Sequence, residues 1–384
     1  MVISMIVASV VAVLLSLISC DYEFEEAKTA NQNRKQGYVW QVPEGFPIPR
    51  VPKDNPMTYE KVELGRQLFY DPRLSGDGTV SCATCHQAER AFTDGRSRAV
   101  GIAGNIHPRS AMSLTNVAYN ATLGWDDPNL TRLEDQIVVP LYNTQPPEMG
   151  VAYREKDVLD RFKKDRHVRR LFQKAFAAEH NPITMRNIIY ALASFERTLI
   201  SGNSAYDRWA YRGKTDALDK DQRAGARLFF SQRLSCFRCH AGFNFSGPVT
   251  YEGSDTPDAR FHNTALYNED GQGAYPEPNT GLHRHSGLIG DMGKFRAPTL
   301  RNIALTAPYM HDGSIPTLEA VLDHYAGGGR SRLSIYRTRE SDIESNIDPL
   351  MTGFDLTPEE KRQLIAFLHA LTDDSFVEQA QAVR

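Results

Sequence analysis

A pentapeptide of the pattern Cys-x-x-Cys-His occurs twice in this sequence, at residues 82–86 and 236–240. The 384-residue chain contains 5 cysteines and 11 histidines, so about 0.002 chance matches are expected. The pattern is the attachment signature of c-type haem, in which two thiols bond to the porphyrin and the histidine binds the iron. The sequence therefore predicts two covalent c-type haems, attached through Cys82, Cys85, Cys236 and Cys239, with His86 and His240 as proximal ligands.

An internal repeat precedes both haem motifs, as GRQLFY at residues 65–70 and GARLFF at residues 225–230. Each copy predicts a helix with a Leu-Phe pair, followed by a short loop and a haem motif. The sequence has neither strand–helix alternation nor a glycine-rich phosphate loop. These patterns predict an all-α protein of two cytochrome c-like domains, each wrapped around one covalently attached haem, with long irregular loops.

Changes of composition along the chain predict its division into domains. Residues 1–19 are uncharged, and residues 20–57 are polar and then proline-rich, as in a tether followed by an arm. A turn-rich run at residues 201–204 separates an N-terminal haem domain, residues 58–203, from a C-terminal one, residues 204–384.

Further helices are predicted from hydrophobic periodicity and capping signals. We expect one amphipathic, basic helix over residues 158–178 and another helix over residues 185–200. Later helices begin near Thr317 and at Thr357, where the sequence TPEE is a capping box with proline at the first helical position. Residues 246–294 are rich in glycine, proline and asparagine, which predicts irregular structure.

Composition excludes some classes of protein. The net charge is −3, which gives no sign of a nucleic-acid partner. Four of the 5 cysteines belong to the haem motifs, so Cys20 is left alone and a disulfide framework is excluded.

The N-terminus predicts a membrane tether. The uncharged stretch before Cys20 resembles a lipoprotein signal peptide cleaved ahead of a lipidated cysteine, although it lacks the usual Lys or Arg. An uncleaved membrane helix is the alternative, because 19 residues nearly suffice to span a bilayer. Both interpretations predict a periplasmic protein, lipid-anchored through Cys20 in the first.

Several motifs together resemble the bacterial di-haem cytochrome c peroxidase and MauG family. The resemblance runs from about Pro56 to Asp374. Besides the haem motifs it includes LGRQLF at 64–69, WD at 125–126, EDQ at 134–136, PEMG at 147–150, APTLRN at 297–302 and TAPYMHDG at 306–313. It implies an enzyme that acts on hydrogen peroxide at the first haem, whose sixth coordination position is open.

The resemblance assigns distal-pocket roles to three residues. It implies that Glu148 lies over the open face of the first haem and that Gln136 and Pro140 line the same pocket. A carboxylate in a partly dry pocket suits the proton transfer that breaks the O–O bond of peroxide. The alternative is that Glu148 is a surface carboxylate in a proline-rich loop.

The resemblance also places Trp125 between the two haems, as a stop for a migrating electron or hole. A packing role is the commoner one for a buried tryptophan, and the two roles are compatible.

The residue type at position 325 distinguishes two subclasses of the family that the sequence resembles. Tyr325 shares one helix face with Leu318, Val321 and Leu322. This is where a tyrosine of the hydrophobic core would lie. In ordinary peroxidases of the family, the position fourteen residues after the histidine of His-Asp-Gly, here His311, holds a methionine ligand of the second haem. MauG-like enzymes have tyrosine there. Methionine raises the reduction potential, whereas a phenolate favours oxidised iron.

Other side chains are rival ligands or haem contacts. We interpret His107 as a loop or propionate contact and not as an iron ligand, and His311 as a contact of the haem edge or of a propionate. Met310, Met292 and His324 are rival sixth ligands for the second haem.

The resemblance further implies a calcium ion between the domains. Its carbonyl ligands map to Thr306 and Pro308. The family's asparagine ligand maps to Ser110, which is a weaker oxygen donor.

The segments at 107–109, 132–136 and 324–330 are most similar to a MauG-like subgroup that includes methanobactin-associated di-haem enzymes. The resemblance implies that hydrogen peroxide drives the protein to a high-valent di-iron state, which oxidises a periplasmic partner protein by long-range electron transfer. The surface tryptophan of MauG corresponds to Leu234 here, so the oxidising equivalent must leave the protein by another route. Trp209, Tyr206 and Tyr211 are the candidates for that route.

Two other functions fit the same motifs. One is a peroxide-detoxifying cytochrome c peroxidase that takes electrons from a small cytochrome. The other is a di-haem electron carrier without enzymatic activity.

Overall fold

The computed structural model describes residues 37–255, 259–269, 273–330 and 346–382. Its helices are α1 Tyr59–Tyr70, α2 Cys82–Cys85, α3 Leu133–Tyr142, α4 Glu155–Lys164, α5 Arg166–Ala175, α6 Met185–Glu196, α7 Ala205–Tyr211, α8 Lys220–Phe229, α9 His283–Ser286, α10 Leu318–Ala326, α11 Pro358–His369 and α12 Asp374–Ala382. The predicted helical class is confirmed, with one addition. Two-residue strands, β1 Phe261–His262 and β2 Phe295–Arg296, pair antiparallel.

The two sequence repeats form equivalent helix crossings. Gly65 of α1 packs against the backbone of α6, where an added Cβ would stand 1.9 Å from the carbonyl oxygen of Ala191. Gly225 of α8 packs against α11, where a Cβ would stand 2.0 Å from the carbonyl oxygen of Gln363. Only glycine allows this approach, so the glycine of each repeat lets the two helices of its crossing come into backbone contact.

Two hydrophobic cores lie around these crossings. The first contains Leu64, Leu68 and Phe69 of α1 together with apolar residues of α3 to α6. The second is formed around Phe229 of α8 and Phe367 of α11. The last helix, α12, returns to the first core, where the ring of Phe376 lies 5.7 Å from that of Phe92. The division at residue 203 remains a prediction, because the chain crosses between the cores more than once.

The prediction of a single helix over residues 158–178 is wrong. Asp165 has an extended backbone (φ −86°, ψ 116°) and divides the region into α4 and α5. Its carboxylate accepts hydrogen bonds from the backbone N–H groups of His167 and Val168, which begins a new helix. The capping box of α11 at Thr357 is as expected, and α10 begins after Thr317, whose side chain caps it.

The proline-rich arm lies across both halves of the chain. Phe46 packs edge-on against Tyr119 and Phe243, at centroid distances of 6.2 and 4.9 Å. The hydroxyl of Tyr119 donates to the carbonyl of Pro47 at 2.7 Å. These contacts fix the arm at residues 46 and 47.

Buried polar groups hold the two halves together. One carboxylate oxygen of Asp373 accepts hydrogen bonds from Ser201 Oγ and from the backbone N–H groups of Gly202 and Asn203. Within the C-terminal half, the guanidinium of Arg301 makes a bidentate, fully buried pair with Asp207 at 2.8 and 2.9 Å. Breaking one partner of such a pair would leave an uncompensated buried charge.

Residues 1–19 and Cys20, which carry the predicted signal peptide and lipid anchor, lie outside the described residues. In the described part of the chain, every helix is too short or too polar to cross a membrane.

Candidate active site

The first Cys-x-x-Cys-His segment forms the short helix α2 and the residue after it. Nδ1 of His86 lies 2.9 Å from the carbonyl oxygen of Phe92. This contact makes Nδ1 the protonated nitrogen and leaves Nε2 with a lone pair for a metal. Burial lowers the pKa of His86, so the ring is neutral and able to bind iron.

The second segment reproduces this arrangement. Nδ1 of His240 lies 3.2 Å from the carbonyl oxygen of Phe245 and 3.1 Å from that of Pro298. Burial lowers the pKa of His240 to about 4, which keeps the ring neutral. Both histidines therefore present Nε2 as the free nitrogen.

The surroundings of both segments fit covalent haem. The side chains of Cys82, Cys85, Cys236 and Cys239 are half-buried, and burial raises the pKa of the Cys85 thiol to about 11 and that of Cys236 to about 12. Arg296 is a buried cation without a carboxylate partner among the described residues. Its guanidinium contacts the carbonyl of Gly124 and the sulfur of Met112, and burial lowers its pKa to about 10. A haem propionate would supply the missing negative charge.

Glu148 lies beside the first haem motif. Desolvation by burial raises the pKa of Cys85, and the charges of Asp94 and Glu148 act in the same direction. The backbone of Glu148 is held by a hydrogen bond from Ile102 N to its carbonyl oxygen at 2.9 Å. Burial raises the pKa of Glu148 to about 7, so this carboxyl is able to lose and regain a proton near neutral pH.

Gln136 and Pro140 lie one turn apart on the same face of α3. The carbonyl oxygen of Pro140 accepts a hydrogen bond from Met149 N at 2.9 Å, next to Glu148 in the chain. The structure therefore connects Pro140 to the loop of Glu148, and Gln136 is half-buried on the adjacent turn.

His107 is buried and approaches Glu148. Its Nδ1 lies 3.6 Å from Oε1 of Glu148, and its Nε2 has no hydrogen-bond partner in the described structure. The sequence suggested a loop or propionate contact, and it carried no signal for this pair because the two residues are distant in the chain.

Trp125 lies where the two halves of the chain meet. Its indole N–H donates to the carbonyl of Ser110 at 3.2 Å, and its own carbonyl accepts from Arg296 N at 2.8 Å. Its ring is 6.4 Å from that of His311, edge to face. His311 stacks on Phe295 at 3.8 Å, so the indole belongs to an aromatic junction.

Tyr325 lies on α10, beside the second haem motif. Burial raises the pKa of its phenol well above the usual value, and charges on Cys239 and Cys236 act in the same direction. His324, its neighbour, faces elsewhere, with Nε2 2.9 Å from the carbonyl oxygen of Thr264. The structure thus places Tyr325, and not His324, next to the cysteines of this motif.

The other rival ligands occupy different places. Met310 lines a cavity between the two halves of the chain, and Met292 packs at the edge of the second core. Nε2 of His311 is buried without a partner in the described part of the chain, and burial lowers its pKa to about 4.

The three residues expected to bind calcium surround one cavity of about 80 Å³, which is lined by Ser110, Thr306 and Pro308 among others. The hydroxyl of Ser110 donates to the carbonyl oxygens of Met310 and His311 at 3.2 and 3.4 Å. Arg296 also lines this cavity, so a calcium ion there would need an anion between it and the guanidinium.

A series of half-buried aromatic rings leads away from the second haem motif. Tyr206 lies 5.0 Å from Phe245, whose carbonyl faces His240, and 6.0 Å from Trp209. Tyr211 lies 6.4 Å from Tyr206.

Comparison with known proteins decides the family. The chain is 37% identical over 331 residues to the methylamine utilization protein MauG of Methylorubrum extorquens, covering 86% of this chain and 82% of that protein. The chain belongs to the di-haem cytochrome c peroxidase and MauG family. The profile of the family described as di-haem cytochrome c peroxidase matches residues 59–216, and a RoxA-like, cytochrome c-like profile matches residues 294–336.

Other members of this family are also similar to the chain. The cytochrome-c peroxidase IdrP1 of Pseudomonas sp. is 34% identical over 346 residues, covering 85% of this chain and 84% of that protein. The crystal structure of a MauG-like protein associated with microbial copper homeostasis is 43% identical, with a TM-score of 0.83, covering 88% of this chain and 97% of that chain. Membership makes this protein a peroxide-using oxidoreductase and not a simple electron carrier.

Proposed function

We propose that this protein is a MauG-like di-haem peroxidase that uses hydrogen peroxide to oxidise a partner protein by long-range electron transfer. The observation that carries this proposal is Tyr325 beside Cys236 and Cys239, combined with Glu148 beside Cys85. The first feature suits storage of an oxidising equivalent, and the second suits proton transfer to and from peroxide.

Two haems would be held by the cysteines of the two motifs, with Nε2 of His86 and His240 as proximal ligands. When bound, these haems supply the iron that exchanges electrons with peroxide. The chain's own residues orient both histidines, since Nδ1 of each faces a backbone carbonyl. Arg296 would neutralise a propionate.

Glu148 is the proton-transfer group in this proposal. Because burial raises its pKa to about 7, its ionised and protonated forms are both populated at neutral pH. The carboxylate takes a proton from hydrogen peroxide and returns it to the departing hydroxide, which leaves as water. Gln136 and Pro140 shape the pocket from α3.

Tyr325 would also bind the iron of the C-terminal haem. Its environment opposes loss of the phenolic proton, so a phenolate there needs a cation in direct contact. Ferric iron is such a cation, and the anionic ligand in turn stabilises oxidised iron. Trp125, held by Ser110 between the halves of the chain, would pass the electron between the two centres.

The partner would be a periplasmic protein that does not enter the haem pocket. Tyr206 and Trp209 support an exit for the oxidising equivalent, because their rings continue from Phe245 toward the surface. Cys20 would carry the lipid that tethers the protein to the membrane. Calcium would occupy the cavity beside Ser110.

Peroxide titration of the fully ferric protein tests this function. We expect absorption changes at both haems without prior reduction. A peroxide-detoxifying enzyme fed by a small cytochrome is the second candidate, favoured by the 34% identity to a cytochrome-c peroxidase. A reaction that needs the second haem to be reduced first would favour that candidate and overturn our proposal.

A further inference from the structure

The distal pocket contains an imidazole that the reaction scheme above does not use. Nδ1 of His107 lies 3.6 Å from Oε1 of Glu148. The side chain of His107 is 10% exposed and that of Glu148 34% exposed. The separation is longer than a hydrogen bond, but catalytic hydrogen bonds are commonly long before substrate binds.

Backbone hydrogen bonds fix the loop that carries His107. Its N–H donates to the carbonyl of Ala99 at 2.8 Å, and Ala99 N donates to the carbonyl of Arg109 at 3.0 Å. Val100 and Ile106 pair as an isolated antiparallel bridge. The loop is therefore a closed hairpin, and the position of the imidazole does not depend on a flexible tether.

The same hairpin packs directly on the backbone of Glu148. Ile102 N donates to the carbonyl oxygen of Glu148 at 2.9 Å. An added Cβ at Gly101 would stand 2.4 Å from the carbonyl oxygen of Pro147 and 2.8 Å from Cα of Glu148. The approach requires glycine, so the structure holds the imidazole and the carboxylate as one unit.

The two ring nitrogens of His107 have different surroundings. Burial lowers the pKa of His107, against the opposite effect of a hydrogen bond to the Pro147 backbone, so the ring is neutral at pH 7. Nε2 has no hydrogen-bond partner in the described structure, whereas Nδ1 faces two acceptors, Oε1 of Glu148 at 3.6 Å and the Pro147 backbone. The proton of a neutral ring therefore belongs on Nδ1, where it points to an acceptor.

We propose that His107 is a positioning residue whose Nδ1–H orients the carboxylate of Glu148 toward peroxide. This inference rests on the proposed role of Glu148 in proton transfer. The imidazole keeps its proton throughout, so Glu148 alone takes up and releases a proton. By donating to the ionised form, His107 also offsets part of the cost of burying the carboxylate.

The inference differs from an iron-binding role for this histidine. A ligand of the first haem would have to turn away from Glu148, and it would close the position at which peroxide binds. The other charged groups near this pocket are Asp94 and Arg96, which both lie close enough to Cys85 to affect its pKa. Asp94 accepts a hydrogen bond from Arg96 N, so it is held by its own loop and not by His107.

The test uses the full-length, haem-loaded protein and cyanide as the probe. Hydrogen cyanide must lose its proton to bind ferric haem, so its binding rate reports a distal base without catalytic turnover. We expect the wild-type rate to rise with pH as Glu148 ionises, near pH 7. His107→Asn keeps a donor at the place of Nδ1, and His107→Gln moves the donor to the place of Nε2.

We expect His107→Asn to retain the wild-type pH profile and His107→Gln to shift its midpoint upward by about 1 pH unit, because a hydrogen bond to the ionised form is lost. The exposed His180→Gln is the control and leaves the midpoint unchanged. Identical profiles for the Asn and Gln variants would overturn the inference. So would a low-spin ferric signal of the first haem that disappears in both variants, since it would make His107 an iron ligand.

Glu148→Gln separates this inference from the function on which it rests. If that variant keeps the pH dependence, Glu148 is not the distal base and the proposed function loses its proton-transfer group. If it abolishes the pH dependence while the two His107 variants behave alike, only the role of His107 fails.

Discussion

Gly65 lies against the carbonyl oxygen of Ala191, so close that a Cβ on the glycine would stand 1.9 Å from that oxygen. Gly225 has the same relationship to Gln363 in the second half of the chain. The sequence repeat therefore encodes the same packing arrangement twice. In each copy, the helix before the haem motif crosses a second helix so closely that their backbones are in contact.

Gly65→Ala and Gly225→Ala should each destabilise the protein. The added methyl group forces two helices apart, which costs about 1–3 kcal/mol. Chemical denaturation followed by haem absorbance and by circular dichroism measures the loss. Gly290→Ala is the matched control, because an added Cβ there meets no atom within 4 Å. Equal stability of the Gly65 and Gly290 variants would contradict the packing argument.

Glu148→Gln should slow the reaction with peroxide by about 10²–10⁴-fold, since the amide is unable to take up a proton. Burial raises the pKa of Glu148 to about 7, and the ionised form is the base. The wild-type rate should therefore fall as pH decreases below about 7, and the variant should lack this dependence. Stopped-flow absorbance measures both. The exposed Glu359→Gln serves as control, and an unchanged rate in Glu148→Gln would remove the carboxyl from the reaction.

Tyr325→Met should convert the second haem to a methionine-ligated centre with a higher reduction potential. The ferric protein should then require prior reduction before it reacts with peroxide. Potentiometric titration and resonance Raman bands of the iron–phenolate bond measure the change. Tyr153→Phe removes the hydroxyl of a fully exposed tyrosine and should alter neither measurement. A second-haem spectrum that is the same in Tyr325→Phe and wild type would refute the ligand assignment.

Trp125→Phe should slow communication between the two haems while peroxide still reacts at the first. The phenyl ring is harder to oxidise than an indole, and it lacks the N–H that donates to Ser110. Rapid-scan absorbance would show the second haem responding after the first. Trp40→Phe, in the N-terminal arm, is the control. Simultaneous responses in Trp125→Phe would show that the electron does not need this indole.

Ser110→Asn should increase the affinity for calcium, because an amide oxygen is a better ligand than a hydroxyl. Metal analysis after dialysis against a chelator should find more calcium retained by this variant than by wild type. Ser113→Asn, which alters another serine of the same cavity, tests whether the gain is specific to position 110. Absence of calcium from both proteins before dialysis would remove the ion from the proposal.

The sequence by itself predicts features that depend on residues close together in the chain. Covalent haem attachment is encoded by contiguous residues, so the roles of Cys82 and His86 are predicted without any knowledge of the fold. The cap at Thr357 depends on residues three positions apart, and the structure confirms it. The predicted helix over residues 158–178 failed because the carboxylate of Asp165 competes with the helix for backbone N–H groups, which periodicity does not register.

Only the tertiary structure decided which distant residues meet. His107 and Glu148 approach each other because a hairpin packs on the loop after α3. Neither segment has a sequence pattern that indicates this contact. Helix periodicity places Tyr325 on the apolar face of α10, but only packing shows that His324 is also buried, with its Nε2 against the Thr264 carbonyl. The physical reason is the same throughout: local motifs depend on covalent connectivity and nearby backbone groups, whereas the pocket depends on burial and on contacts between segments far apart in the chain.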